Sequence, residues 1–341
     1  IHQGVKMLTT TAAGRTWDFS HALGAFTTEG EGFLHPSDLA IGGDGTIYVV
    51  SRGQFATMDT QISKNRLRIT KLNLDEVFLG EFGTGHFSWP TGLALDVNQN
   101  LYCSDEFDNL IYVYDSEGVQ LNKWGKKGTL PGEFSGPSGI ECDHDNNLLV
   151  VDTFNNRIQR YDTSGHFIDQ WGSAGTKESC FDRPWGITVD QSGFIYVADW
   201  GNSRVQKFSV DGEYVMSFGS DTPGSNLDHP ADVAVDSDGD VYITDWGNKR
   251  VQIYDDCGVV ISSLYGDAFE FSKWGKQIVD ASEDITKAYK RVDDLEPMAR
   301  FDRPRGIKID ASDRIYVVDS TRCRIQVYSK VRQYNDPQFN L

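Results

Sequence analysis

The chain has 341 residues and carries 32 basic against 50 acidic side chains, a formal net charge of −18. Nucleic-acid binding rests on lysines and arginines that displace counterions from phosphates, so this balance argues against a nucleic-acid partner. No run approaches the roughly 18–20 apolar residues of a membrane-spanning helix, and 39% hydrophobic with 24% charged residues is the composition of a globular chain that can bury a core.

In chain order, Arg15-Thr-Trp17-Asp-Phe-Ser-His21-Ala-Leu comes first and stands outside any repeat. A ten-residue phrase then returns six times, as Phe33-Leu-His-Pro-Ser-Asp-Leu-Ala-Ile-Gly, Phe87-Ser-Trp-Pro-Thr-Gly-Leu-Ala-Leu-Asp, Phe134-Ser-Gly-Pro-Ser-Gly-Ile-Glu-Cys-Asp, Phe181-Asp-Arg-Pro-Trp-Gly-Ile-Thr-Val-Asp, Leu227-Asp-His-Pro-Ala-Asp-Val-Ala-Val-Asp and Phe301-Asp-Arg-Pro-Arg-Gly-Ile-Lys-Ile-Asp. Its prolines (36, 90, 137, 184, 230 and 304) are spaced 54, 47, 47, 46 and 74 residues apart, so the first and fifth intervals carry insertions. Each phrase leads into a turn such as Asp238-Gly239, then Val241-Tyr-Ile-Thr-Asp245, a polar loop, Arg250-Val-Gln-Ile-Tyr254, a second turn and a final apolar segment. Short β-branched and aromatic runs bounded by Gly, Asn and Asp are strands and hairpins. Four strands per period of about 47 residues predict one propeller blade.

The expected fold is therefore an all-β six-bladed propeller in one domain over 1–341, with blades at about 31–83, 84–130, 131–177, 178–224, 225–266 and 300–330. The last unit stops after three strands near Tyr328, so the segment 15–30 is expected to supply a fourth strand and close the ring. Residues 267–299 form a helical insertion between blades five and six. Apolar positions 278, 281, 285, 289 and 292 recur three or four apart and predict an amphipathic helix, either a lid on the channel-mouth face or a blade-capping decoration. The other insertion, 52–65, lies in the first blade.

The run Val150-Val-Asp152-Thr-Phe-Asn-Asn156-Arg157-Ile, repeated as Val197-Ala-Asp199-Trp-Gly-Asn202-Ser-Arg204-Val and Ile243-Thr-Asp245-Trp-Gly-Asn248-Lys-Arg250-Val, resembles the NHL-repeat six-bladed propellers. Residues 104–110 lack the arginine, and the first copy has Ser51-Arg52 where the others have the aspartate. A single acidic propeller with a helical insertion resembles, within that group, the peptidyl-hydroxyglycine amidating lyases and the gluconolactonase-like propellers. The resemblance implies a channel metal, zinc on histidines in the first and calcium on acidic and amide side chains in the second. The zinc histidines of the lyases directly follow the blade prolines, where this chain has Ser37, Thr91, Ser138, Trp185, Ala231 and Arg305. That ligand set is not carried over.

The chemistry-bearing residues are those that break the repeat. Only blades one and five replace the glycine after the proline, giving His35-Pro-Ser-Asp38 and His229-Pro-Ala-Asp232, while blade six has Arg303-Pro-Arg305. Blades five, six and one are neighbours in a closed ring. His35, His229, Asp38 and Asp232 are therefore the candidate catalytic residues and the candidate ligands of a divalent metal, zinc or calcium. Each histidine could equally pack its ring, and each aspartate could cap a turn. Arg52, Arg303 and Arg305 are candidates for holding a substrate anion, and Trp89, Trp185, Trp200 and Trp246, with Phe107 and Phe154, for lining the mouth. Asp152, Asp199, Asp245 and Asp319 recur with Arg157, Arg204, Arg250 and Arg324 in register, which marks scaffold. Asp236-Ser-Asp-Gly-Asp240 lacks a full calcium-loop ligand set and reads as a hairpin turn.

The expected function is a lyase or hydrolase acting on a small anionic substrate at the channel mouth. The alternative is a non-catalytic platform for a protein partner. The five cysteines (Cys103, Cys142, Cys180, Cys257, Cys323) are odd in number without a C-x-x-C pair, and the first 30 residues show no cleavable-signal pattern. Both favour a reducing, cytoplasmic setting.

Overall fold

In the computed structural model, residues 9–53, 66–219 and 226–331 are described. They form six antiparallel four-stranded sheets arranged in a ring. The innermost strands begin at the repeated prolines: Pro36–Ile41, Pro90–Leu95, Pro137–Cys142, Pro184–Val189, Pro230–Val235 and Pro304–Ile309. Outside them run the second strands, such as Val241–Asp245, whose residues are buried on both faces because the neighbouring blades pack on either side. Of the predicted 52–65 insertion, residues 54–65 lie outside the described part.

The ring closes as expected. Arg15–Leu23 pairs antiparallel with Arg324–Val331 from Thr16↔Val331 to Leu23↔Ile325, and Thr9–Ala12 adds a further strand outside it. Trp17 is wholly buried and its indole N–H donates to the Tyr242 hydroxyl of blade five at 2.8 Å. The acidic turn of blade five is a hairpin, with Asp236 Oδ1 accepting the amides of Asp238 and Asp240. Its carboxylates receive the Lys330 ammonium at 2.6, 2.8 and 2.8 Å, so a lysine of the last blade occupies the place a cation would take.

The repeated aspartates hold each blade's top. Asp199 ends a second strand, is wholly buried, accepts the amide of Asp182 at the entry to the inner strand, and takes Nε of Arg204 at 2.9 Å. Asp152, Asp245 and Asp319 do the same with Ser135, Asp228 and Asp302. In blade two, where Leu110 stands in place of the arginine, Asp105 satisfies itself with the amides of Ser88, Trp89, Phe107 and Asp108. In blade one, Ser51 takes over the clamp by accepting the amide of Leu34.

The insertion departs from one continuous helix. Ser282 accepts the amide of Ile285 and starts a new helix, so the segment divides into α1 (Lys273–Asp280), α2 (Glu283–Tyr289) and α3 (Glu296–Ala299). Trp274 of α1 is buried in the seam between blades six and one, edge-on to Phe33 and Phe78. The Glu76 carboxylate accepts the amides of Gly24 and Trp274, and Ser272 donates to the Gly24 carbonyl. These contacts make the insertion a brace on the closure seam. No residue of 267–299 lines the cavity on the channel axis.

Removing one partner of a buried ion pair leaves an uncompensated charge and costs about 3–5 kcal/mol. Asp199→Ala, which also frees the Asp182 amide, is therefore expected to lower unfolding free energy by about 3 kcal/mol or more in a denaturant titration; an unchanged midpoint would contradict the clamp.

Candidate functional site

Six inner strands converging on one axis leave little room at the second residue past each proline. A Cβ on Gly92 would stand 2.5 Å from the Ser138 carbonyl oxygen and one on Gly306 2.6 Å from Asp38 Oδ1. On Gly139 and Gly186 it would strike the Trp185 carbonyl and the Asp232 carboxylate. Asp38 and Asp232 escape the clash by reaching into the next blade. Asp38 Oδ2 accepts the amide of Leu93 at 2.9 Å, and Asp232 Oδ2 accepts that of Ile307 at 3.0 Å. Both bonds tie one inner strand to the next, so neither is a turn cap.

Two residues further along, the channel-facing position holds Ala40, Ala94, Glu141, Thr188, Ala234 and Lys308. Blades three and six face each other across the ring, and Lys308 Nζ meets Glu141 Oε2 at 2.6 Å. This cross-channel pair, with Asp38 and Asp232 around it, separates an upper cavity of about 30 Å³ from a lower one of about 320 Å³. The upper space is on the order of one or two waters. Burial disfavours the Lys308 ammonium, but Glu141, Asp38 and Asp232 more than offset it and hold its pKa well above the usual range. Burial raises both aspartates, and each also feels Lys308 in the opposite sense; Asp232 is pushed further up by the Asp38 charge.

The residue before each proline has a left-handed backbone in five blades: His35 (φ 47°), Gly136 (67°), Arg183 (50°), His229 (54°) and Arg303 (66°). Glycine adopts that conformation freely, whereas other residues are held there at a cost of order 1–3 kcal/mol. Four blades thus carry a cationic or imidazole side chain at a strained position on the mouth. Three of those side chains join a continuous belt. Arg183 lies 4.8 Å over the Trp200 ring, His229 packs 4.1 Å from Trp200, Trp200 meets Trp185 and Trp246 at 6.3 and 6.4 Å, and Arg303 lies 5.3 Å over Trp246. Arg305 lies 4.8 Å over Trp185, and Arg52 lies 4.5 Å over Trp89.

Buried Arg52 and half-buried Arg305 lie beside one another. Arg52 Nη2 pairs with Glu106, but its Nε and Nη1 are buried without a hydrogen-bond partner among the described residues. Burial and the neighbouring Arg52 push Arg305 down to about 9, which leaves it cationic at neutral pH. His35 hydrogen-bonds the Ser320 backbone, and its pKa is lowered by burial and by Arg305 and Arg303, so it is neutral at pH 7. The ring of His229 is hydrogen-bonded through Nδ1 to Asp228.

The predicted residues therefore divide into two groups. Asp38 and Asp232 line the axial cavity together with Lys308, Trp185 and Arg305, whereas His35, His229, Arg52, Arg303, Trp89, Trp200 and Trp246 are outside its lining. As a metal set, His35, His229, Asp38 and Asp232 do not converge: among the described residues the donor atoms within 4.8 Å of one another in a group of three are those of Asp255, Asp256 and Cys257 on a hairpin turn. The carboxylate that meets His229 is Asp228, its chain neighbour. Arg183, Glu106, Asp228, Glu141 and Lys308 are the residues the repeat reading passed over. A charged side chain at an inner-strand position otherwise held by alanine or threonine was the signal for the last two.

Comparison with known proteins agrees with this architecture. Residues 181–208, 227–254 and 301–328 match the NHL repeat, and residues 92–186 match a family described as a 6-bladed beta-propeller. No curated protein sequence matches the chain. Among solved structures, a catalytically inactive virginiamycin B lyase from Staphylococcus aureus with quinupristin is 17% identical, with 94% of this chain and 93% of that one covered at a TM-score of 0.56. A gluconolactonase from Xanthomonas campestris is 11% identical over 94% and 91% (TM-score 0.59), and a protein of unknown function from Bacteroides thetaiotaomicron 18% over 93% and 76% (0.64). At such identities the likeness is one of fold. The chain carries NHL repeats and is an all-β six-bladed propeller, and its distant structural neighbours include a lyase and a gluconolactonase.

A free aspartic acid titrates near about 3.9. Because burial raises Asp38 and Asp232 in the folded state, the native protein binds more protons than the unfolded chain above that pH, so their contribution to stability is full in acid and is lost as pH rises through the raised values. Asp232→Asn keeps an acceptor for the Ile307 amide and removes the charge. Its melting temperature relative to the parent is expected to climb between about pH 5 and pH 9; a difference that does not vary with pH would refute this. Metal content of protein never exposed to chelator is expected to be the same with and without His229→Ala.

Proposed function

We propose that this NHL-repeat propeller is an enzyme, a lyase or hydrolase, that holds a small anionic and partly apolar substrate at the channel mouth. The observation that carries the reading is the Arg52–Arg305 pair: two guanidinium groups lie side by side, the Glu106 carboxylate pairs with Arg52 and not with Arg305, and Nε and Nη1 of buried Arg52 have no hydrogen-bond partner among the described residues. Buried donors without acceptors cost about 1–3 kcal/mol each, and a substrate carboxylate or phosphate would recover that. Trp89 and Trp185, already stacked on these arginines, offer faces for an apolar body.

His229 and His35 supply two imidazoles in different surroundings on the same rim. Asp228 on Nδ1 of His229 fixes that ring and leaves Nε2 to exchange a proton. His35, kept neutral by burial and by two arginines, is suited to accept a proton beside the bound anion. A base and an acid on one rim are the requirements for elimination or for activating water. The donors considered for a divalent ion do not fit one, because the aspartates line the axial cavity, the histidines are outside its lining and Lys308 is set against the aspartates, so no step is routed through a metal. The neighbouring lyase and gluconolactonase support the enzyme reading by fold alone. The alternative, a protein-binding platform, rests on Phe107 and Phe154, which are 65% and 55% exposed beside a groove of about 510 Å³ next to Trp89.

Thermal-shift screening with small mono- and dicarboxylates, phosphates and lactones is the first test. A hit is expected to lose about 10–100-fold affinity in Arg305→Gln, the worth of a charge-assisted hydrogen bond. With a turned-over compound, His229→Ala is expected to lower kcat about 10²–10⁴-fold while melting near the parent. Hits that bind Arg305→Gln as well as the parent would discard the mouth site, and Phe107→Ser together with Phe154→Ser abolishing a protein contact would favour the platform.

A further inference from the structure

The helical insertion leaves its apolar stripe largely uncovered. Trp274 and Ala299 are its buried helical residues, while Ile278, Ile285, Val292 and Met298 remain 39–44% exposed. Between the insertion, the end of the closing strand and the top of blade six lies a cavity of about 430 Å³, within the range of small-molecule pockets. Its apolar wall includes Phe26, Phe271, Ile278, Val279 and Met298. It lies on the outer seam, and its lining shares no residue with the axial cavity.

One charge at this cavity has no counterpart. Blades three, four and five place Asn155, Asn202 and Asn248 three residues past the clamping aspartate, where each donates to that aspartate. Blade six has Arg322 there. Its guanidinium donates to the carbonyls of Arg300 and Pro297, and no carboxylate pairs with it among the described residues. The other charges in the wall are matched or solvated. Arg324 pairs with Asp319, Asp302 with Lys249, and Glu270 is exposed. Arg300, whose carbonyl Arg322 holds, pairs with Glu296 and Asp267.

We propose that this cavity is a second ligand site, taking an amphipathic monocarboxylate whose aliphatic chain lies among the insertion's apolar side chains and whose carboxylate pairs with Arg322. Covering the stripe removes apolar surface from water, and the anion supplies the paired carboxylate that Arg322 lacks among the described residues. The site is independent of the reading given for the mouth.

Decanoate and decyltrimethylammonium, compared by isothermal titration calorimetry on the full chain, decide the matter. They share a chain length and differ in charge, and the protein's net charge of −18 would favour the cation if binding were unspecific. The expected result is one decanoate per chain, bound at least about tenfold tighter than the cation. Arg322→Gln removes that preference, Val279→Trp, which fills the cavity, abolishes binding, and Arg305→Gln leaves it unchanged, with circular dichroism confirming that each variant is folded. Equal binding of the two amphiphiles, no binding of decanoate, or decanoate lost in Arg305→Gln but retained in Val279→Trp would overturn the proposal.

Discussion

The crowding of six strands about one axis is the constraint from which the rest of this molecule follows. At the second residue past each proline a side chain is tolerated only if it can leave the axis, and a carboxylate does so by bonding an amide of the next blade. Using that solution twice places Asp38 and Asp232 in a space with almost no water. Two buried carboxylates need a cation, which Lys308 supplies, and that half-buried lysine is further balanced by Glu141 from the opposite blade. The result blocks the channel. Whatever the mouth binds, it binds in a blind pocket, open on one side only.

Two acidic clusters in this chain are met by lysine ammonium groups from blade six. Lys308 does this on the axis, and Lys330 does it in the Asp236–Asp240 turn, where Arg15 joins at 2.6 Å. Lys308 ties blade six to blade three across the ring, and Lys330 ties it to the adjacent blade five. Blade six is also where the closing strand docks and where Trp274 fills the seam with blade one. A ring is only as stable as its closure, and the charges set against these aspartates therefore contribute to the fold where an ion would have contributed to chemistry.

The repeat made the architecture legible, since proline spacing and alternation mark every blade, and the missing fourth strand of the last unit implied closure by Arg15–Leu23. The site was legible in part. Residues that break the repeat do cluster, so His35, His229, Arg303, Arg305 and Arg52 were identifiable as a group. Their placement was not, because sequence register does not reveal that Asp38 and Asp232 line the axial cavity without the histidines and turn toward neighbouring amides. Nor does an apolar period of three and four distinguish one helix from two: Ser282 could lie inside a helix or cap the next, and only its bond to the Ile285 amide decides. The insertion's position on the seam likewise depends on Trp274, which a pattern of apolar positions beginning at 278 leaves out.

The backbone at the mouth carries the strongest argument that the rim is built for binding. Gly136 shows that the residue before the proline can be glycine, which takes a left-handed conformation at little cost. Four other blades place His35, Arg183, His229 and Arg303 at the same register position and in the same strained conformation. Stability alone would favour glycine there. Strain is retained at four positions that bear a hydrogen-bonding or cationic side chain, three of them, Arg183, His229 and Arg303, linked through Trp200 and Trp246, and the buried aspartate clamps that fix the entry to blades four, five and six help to meet its cost.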